Sequence, residues 1–251
     1  MSPAAKGAGW RLLLTGPGEP GFNMALDEAL AIAVRRGWSP PTLRIYRWHR
    51  PAISLGCHQP VSVLQTFPER QRRGVVLVRR PTAGGAVRHE RDTSYALVCG
   101  HHALRGNPSR CLYRQFHVSL GRILSAGPGC PKSSYRLSTS TGRSMPDEAV
   151  CFLTPVADDL MRGPVKIGGA AQRRWRDGLL QEGTVVEPSV SDDRLALCIR
   201  MAWADVFGCR FAVGTLTLQE RLLADDLWSK YRPWTPSSLP PVSRGASNPS
   251  R

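Results

Sequence analysis

The sequence predicts an α+β fold with helices packed on a mixed or antiparallel sheet. Three observations carry that expectation. Short apolar segments with strand periodicity recur between residues 42 and 100 and again between 165 and 186. Segments with helical spacing stand before, between and after these two groups. Strands and helices do not alternate strictly, which speaks against a doubly wound parallel sheet.

The elements follow in order. "FNMALDEALAIAVRRG" reads as a helix, with Asn23 as its N-cap, Leu26, Leu30 and Ala33 or Val34 on one face, and Gly37 past the last turn. "TLRIYRW" alternates apolar and polar residues, as a half-buried strand does. "AISLG" is a second strand ended by glycine, and "GVVLVRR" a third whose continuous apolar run predicts burial on both faces. "TSYALVCG" is a fourth strand, and "CLYRQFHVSLGRIL" spaces its apolar residues as a helix does. Residues 127–149 are rich in Gly, Pro, Ser and Thr, and predict a long surface loop. Order returns at "VCFL". "VKIGGAAQRRW" and "GLLQEGTVV" predict a hairpin or neighbouring strands. "SDDRLALCIRMAWADVFG", capped by Ser191, and "TLQERLLADDLWSKY" predict two helices. The expected organisation is a single domain over 1–232 and a disordered tail over 233–251.

Composition narrows the function. The chain has 251 residues, enough to bury a large core. No apolar run approaches the roughly 20 residues that span a bilayer. The N-terminus is too weakly apolar for a signal peptide. Seven cysteines without a CxxC pair predict free thiols in a reducing cytoplasm. Cys57-His58 and His101-His102 lack zinc-type spacing. The net charge of +15 implies acidic partners. The arginines are spread along the whole chain, so the charge reads as compositional bias rather than as a nucleic-acid interface.

"RRPTAGGAVRHE" is the first candidate site. Glycine gives backbone where other residues give side chains, which suits a ligand lying against the main chain. The run is neither a Walker loop nor G-x-G-x-x-G. A second pair, Gly168-Gly169, follows Lys166-Ile167. Lysine occurs at only four positions in this arginine-rich chain. Lys166 is either an ordinary edge-strand lysine or a compact ammonium that arginine cannot replace. Cys151, at the end of the long loop, is either a small buried hydrophobe or a nucleophile. Cys99 and Cys198 lie on apolar faces and read as buried hydrophobes.

"NMALDEAL", "LRIYRWHRPAISLGCHQ", "RRPTAGGAVRH", "CFLTPVADDL" and "VKIGGAAQRR…GLLQEGTVV" occur in that order. Together, over roughly residues 10–210, they resemble the lipoate/biotin protein ligase superfamily in its lipoate-ligase and octanoyltransferase branch. The resemblance implies a biotin-ligase-type catalytic domain, with an acyl chain in a tunnel beside the glycine-rich segment. Within the branch, ligases use ATP and commonly carry an accessory domain. One octanoyltransferase group instead carries a "CF" motif ahead of the lysine strand, and Cys151-Phe152 matches it. The chain also ends soon after its last two helices. The resemblance therefore implies a cofactor-free acyltransferase of protein lipoylation. It would take octanoyl or lipoyl groups from acyl carrier protein to the lysine of a lipoyl domain or a glycine-cleavage H-type protein.

Cys151 and Lys166 are the implied catalytic pair. Arg79, Arg80, Thr82, Gly84, Gly85, Ala86, His89, Gly168, Gly169 and Ala170 are the implied substrate-binding set, with backbone N–H groups at either glycine pair as oxyanion donors and His89 as a helper in deprotonating the acceptor lysine. Three departures stand out. Ala83 replaces the first glycine of a family Gly-Gly-Gly, Glu182-Gly183-Thr184 stands for His-Gly-Ser, and Gly169-Ala170-Ala171-Gln172 for Gly-Ser-Ala-Gln. The competing functions are an ATP-dependent lipoate ligase with a structural Cys151, and a non-catalytic module that holds an acylated protein or nucleic acid.

Overall fold

The computed structural model describes residues 9–104, 106–127, 135–140 and 150–235. In chain order the elements are β1 (Trp10–Gly18), α1 (Pro20–Arg35), β2 (Thr42–Trp48), β3 (Ala52–Leu55), the one-turn α2 (Glu69–Arg72), β4 (Val76–Arg79), β5 (Val87–His89) and β6 (Thr93–Gly100). There follow α3 (Leu112–Ala126), β7 (Tyr135–Leu137), β8 (Leu160–Arg162), β9 (Val165–Arg174), β10 (Gly178–Val185), α4 (Asp192–Phe207), β11 (Phe211–Val213) and α5 (Leu218–Leu227).

Among the described residues, eight strands form one sheet in the order β11-β1-β2-β6-β10-β9-β8-β7. Only β11–β1 and β1–β2 pair in parallel, so the sheet is mixed and mainly antiparallel. A second sheet, β4-β3-β5, joins the glycine-rich segment to the body of the fold.

The pleat divides the large sheet between two cores. Leu43, Ile45, Tyr95, Leu97 and Leu179 face α3 and α4, where the rings of Phe116 and Trp203 stack at 4.5 Å. Tyr46, Trp48, Ala96, Val98 and Leu180 face α1, which contributes Met24, Leu26 and Leu30. The small sheet has its own cluster, in which Ile53, Leu55 and Leu77 pack with Ala86 and Val150. That cluster brings the end of the glycine-rich segment against the residue before Cys151.

Several expectations need correction. Helix α1 starts at Pro20, whose missing N–H costs nothing at the first turn, so Asn23 lies inside the helix rather than capping it. The Asn23 amide is instead drawn into the core, where its oxygen accepts from Arg44 Nη2 at 2.6 Å. Strand β2 is buried almost throughout rather than on one face. Its polar face carries Arg44 and Tyr46, which donate to Asp27 of α1 at 2.6 and 2.8 Å. Ser191 stands at the N-cap of α4 without a side-chain bond, and two acids fill the first turn. Strand β7 occupies part of the expected long loop and pairs with β8. The rest of that loop, 128–134 and 141–149, lies outside the described residues. The tail also begins in order: Trp234 exchanges backbone hydrogen bonds with Leu77 at 2.7 and 3.0 Å. Residues 236–251 lie outside the described residues.

Candidate active site

The β9–β10 hairpin is the floor of the site. Gly169 pairs with Thr184, and Ala171 with Glu182. Lys166, near the start of β9, is 5% exposed, and its Nζ forms an ion pair with Asp159 at 2.7 Å. Asp159 is itself fully buried and accepts from Val156 N–H at 2.7 Å and from the Tyr113 hydroxyl. Burial and the neighbouring Asp159 push the Tyr113 hydroxyl well above its usual range, so it stays a donor. A buried ammonium is tolerable only with a partner this well satisfied.

The same Nζ lies 3.2 Å from Cys151 Sγ. Two contacts put the thiol there. Val150 bridges to Ala86 in parallel, and Cys151 N–H donates to Ala86 O at 2.8 Å. The absent side chain of Gly169 provides the room: a Cβ there would meet Lys166 Cε at 2.8 Å and Cys151 Sγ at 3.2 Å. Phe152, the other residue of the "CF" pair, has its ring centre 5.6 Å from Lys166 Nζ.

A cavity opens beside this pair, between the α1 side of the large sheet and the small sheet. Its walls include Met24, Trp48, Gly84, Gly85, Cys151 and Glu182. Gly84 has φ +89°, a conformation glycine adopts without the cost a side chain would impose. The cations preceding the run hold loops. Arg79 donates to the carbonyls of Gly56, Cys57 and Gln59. Arg80 is buried and donates to Ser54 and to the carbonyls of Ala83 and Gly85, which fixes the curl of the run. Thr82 is tied to Glu182, Ala86 supplies the carbonyl for Cys151, and Ala170 lines the cavity with Gly169. Gly168 sits against His117 and Leu160 rather than the cavity. Burial lowers His117 to about 4, leaving it neutral.

His89, expected as a helper in deprotonating the acceptor lysine, lines the cavity with both ring nitrogens engaged. It is 3% exposed and stacked on Trp48 at 3.9 Å. Its Nε2 lies 2.8 Å from the hydroxyl of Ser54, which itself accepts from Arg80, and its Nδ1 lies 2.8 Å from Asp92. The chain Asp92–His89–Ser54–Arg80 therefore ends on the glycine-rich run. Asp159, Tyr113, Ser54, Asp92 and Glu182 are the site residues that sequence reasoning did not assign a role. The paired acids Asp158-Asp159, seven and eight residues past Cys151, were the available signal for the first of these.

Cys99 is buried, and burial pushes its thiol up to about 12, as expected of a packing residue. Among the described residues no group of three His, Cys, Asp or Glu side chains is arranged to hold a metal ion, and no helix is long and apolar enough to cross a membrane.

A thiol beside a buried ammonium, at the wall of a narrow cavity in an α+β fold, is a geometry suited to acyl transfer. Comparison with known proteins then fixes the family. Residues 19–191 match the model of the lipoyl protein ligase A/B catalytic domain, and the chain belongs to that family. Curated relatives include octanoyltransferase LipM of Kyrpidia tusciae, 30% identical over 88% of this chain and 96% of its own. Octanoyltransferase LipM of Moorella thermoacetica is 35% identical over 75% of this chain and 68% of its own. Among solved structures, the putative lipoate protein ligase Ta0514 of T. acidophilum with bound lipoic acid superposes with a TM-score of 0.67 at 23% identity, covering 89% of this chain and 95% of that one. At that identity the likeness concerns the fold, which is the lipoate-ligase type the sequence predicted.

Proposed function

We propose that the protein is an octanoyltransferase of protein lipoylation that works through a Cys151 thioester. The observation that carries this reading is the contact of Lys166 Nζ with Cys151 Sγ at 3.2 Å, at the wall of the cavity beside the glycine-rich run. The octanoyltransferase names of the relatives at 30% identity and above support it.

The steps balance without a further reagent. Cys151 Sγ, 3.2 Å from Lys166 Nζ, gives up its proton and attacks the thioester carbonyl of an octanoyl group carried on acyl carrier protein. The carbonyl π pair moves to oxygen, which faces Lys166 and the backbone at Gly84-Gly85. The carrier C–S bond then breaks, and the carrier sulfur takes up the proton that Cys151 gave up and leaves as a thiol. The acceptor, the lysine amine of a lipoyl domain, attacks the octanoyl-Cys151 carbonyl and forms an amide as the Cys151 C–S bond breaks, and the proton lost by the amine returns to the Cys151 sulfur. Because a thioester lies above an amide in free energy, ATP has no step to drive. The covalent stage lets one acidic carrier depart before the next docks on this basic protein.

The test is an assay with octanoyl-acyl carrier protein and an apo lipoyl domain, with and without ATP. The proposal expects equal transfer in both. Transfer only from free octanoate or lipoate with ATP would establish the ligase reading instead.

A further inference from the structure

Glu182 replaces the histidine of the family pattern and is used by no step above. It stands on the cavity side of β10, between Ala171 of β9 and Ala96 of β6, and is 7% exposed. Its Oε2 accepts from both the N–H and the hydroxyl of Thr82. Thr82 opens the glycine-rich segment, and its carbonyl accepts in turn from Cys57 N–H at 2.9 Å. Four residues on, Ala86 O holds Cys151 N–H at 2.8 Å. We propose that Glu182 is a positioning residue: its carboxyl pins Thr82 to the sheet and so sets, through segment 82–86, where Ala86 holds Cys151.

The second carboxyl oxygen shows how the pin depends on a proton. Oε1 is buried and meets no donor among the described residues. The Asp27 carboxyl of α1 interacts with the Glu182 carboxyl, and both oxygens of Asp27 also accept, from Arg44 and Tyr46 of β2. Arg80, which precedes the segment, opposes the effect of Asp27, and Tyr46 of β2 and Tyr231, the latter with Arg173 of β9 beside it, also sense Glu182. Burial first, and the Asp27 charge second, push the Glu182 carboxyl up to about 8. At neutral pH the carboxyl is therefore mainly protonated. One oxygen is free to accept from Thr82, while the other carries a hydrogen towards Asp27. Deprotonation places two buried carboxylates side by side and drives Glu182, with Thr82, off its seat.

This inference rests on Cys151 being the acylated group, so the experiment carries one readout with chemistry and one without. Glu182→Gln keeps an acceptor for Thr82 and a donor towards Asp27, but cannot titrate. Between pH 7 and pH 9 the protonated fraction of a group near 8 falls about tenfold. The first readout is the rate of octanoyl transfer to Cys151 at pH 9 relative to pH 7. That ratio should be about tenfold lower in the wild type than in Glu182→Gln. The second is hydrogen-exchange protection of the Thr82 amide at pH 9, which should be several-fold higher in Glu182→Gln than in the wild type. Equal protection and equal rate ratios in the two proteins would overturn the proposal. If Cys151 takes no acyl group at any pH, the covalent route fails, and the exchange comparison alone decides the role of Glu182.

Discussion

Replacing Gly169 by alanine tests whether the Lys166–Cys151 contact is needed for acylation, without dismantling the fold. The new methyl would lie 2.8 Å from Lys166 Cε, 3.0 Å from Nζ and 3.2 Å from Cys151 Sγ. Ordinary contacts of such atoms begin near ~3.5 Å, so the lysine end must retreat by roughly 0.5–0.7 Å and the sulfur by about 0.3 Å. The two atoms have different freedom. The lysine terminus is the far end of a flexible side chain and can pivot about Asp159, to which it is bound at 2.7 Å. The sulfur is fixed by the short Cys151 side chain and by the backbone bond to Ala86. The pair therefore separates, while the ion pair and the β9–β10 ladder survive. Alanine also gains about 0.4–1 kcal/mol from the stiffer unfolded chain, which offsets the local crowding. A misplacement approaching 1 Å costs on the order of 100-fold in rate. The expected result is a ~100-fold slower formation of octanoyl-Cys151, followed by quench-flow and intact-protein mass, with a Tm within a few degrees of wild type by calorimetry. Acylation within about threefold of wild type would refute the reasoning, because the contact would then carry no catalytic weight.

Lys166→Arg keeps the charge but brings a planar, bulkier head to a point-charge site, and should lower kcat/KM by on the order of 100-fold in the same assay. Asp159→Ala leaves the Lys166 ammonium buried without its counter-ion and should cost about 3–5 kcal/mol in urea unfolding, with loss of transfer. Gly84→Ala forces a side chain into φ +89° and brings a methyl to 3.2 Å from Arg80 Nη2; a stability loss of about 1–2 kcal/mol is expected, read by the same unfolding curve.

Local signals in the sequence reached the fold well where pairing is local. The β9–β10 hairpin was legible because two apolar segments stand close together, and α3 because its apolar spacing is regular. Strand β2 was read as half-buried because alternation reports polarity, while burial of Arg44 depends on Asp27, seventeen positions earlier on another element. Strand β7 was missed because three residues in a Gly- and Ser-rich stretch carry no period, and only β8 makes them a strand. The start of α1 was misplaced although Pro20 marked it. Cys151 and Lys166 were named through the resemblance to a family, and the structure brings their side chains within 3.2 Å. Asp159 was quoted within the same motif as Cys151 but had no visible purpose until β8 and β9 brought it under Lys166. His89 was named from its place beside the glycine run, but its engagement by Ser54 was not legible, because Ser54 stands thirty-five positions earlier on another strand.

The claim at the centre of this account is that Cys151 carries the acyl group. Incubation with octanoyl-acyl carrier protein alone, without acceptor or ATP, followed by peptide mass spectrometry, tests it most directly. An octanoyl group on Cys151 is expected, removed by neutral hydroxylamine as thioesters are, absent from Cys151→Ala together with all transfer, and retained in Cys99→Ala and Cys198→Ala. Undiminished transfer by Cys151→Ala, with no acyl-enzyme in the wild type, would contradict it.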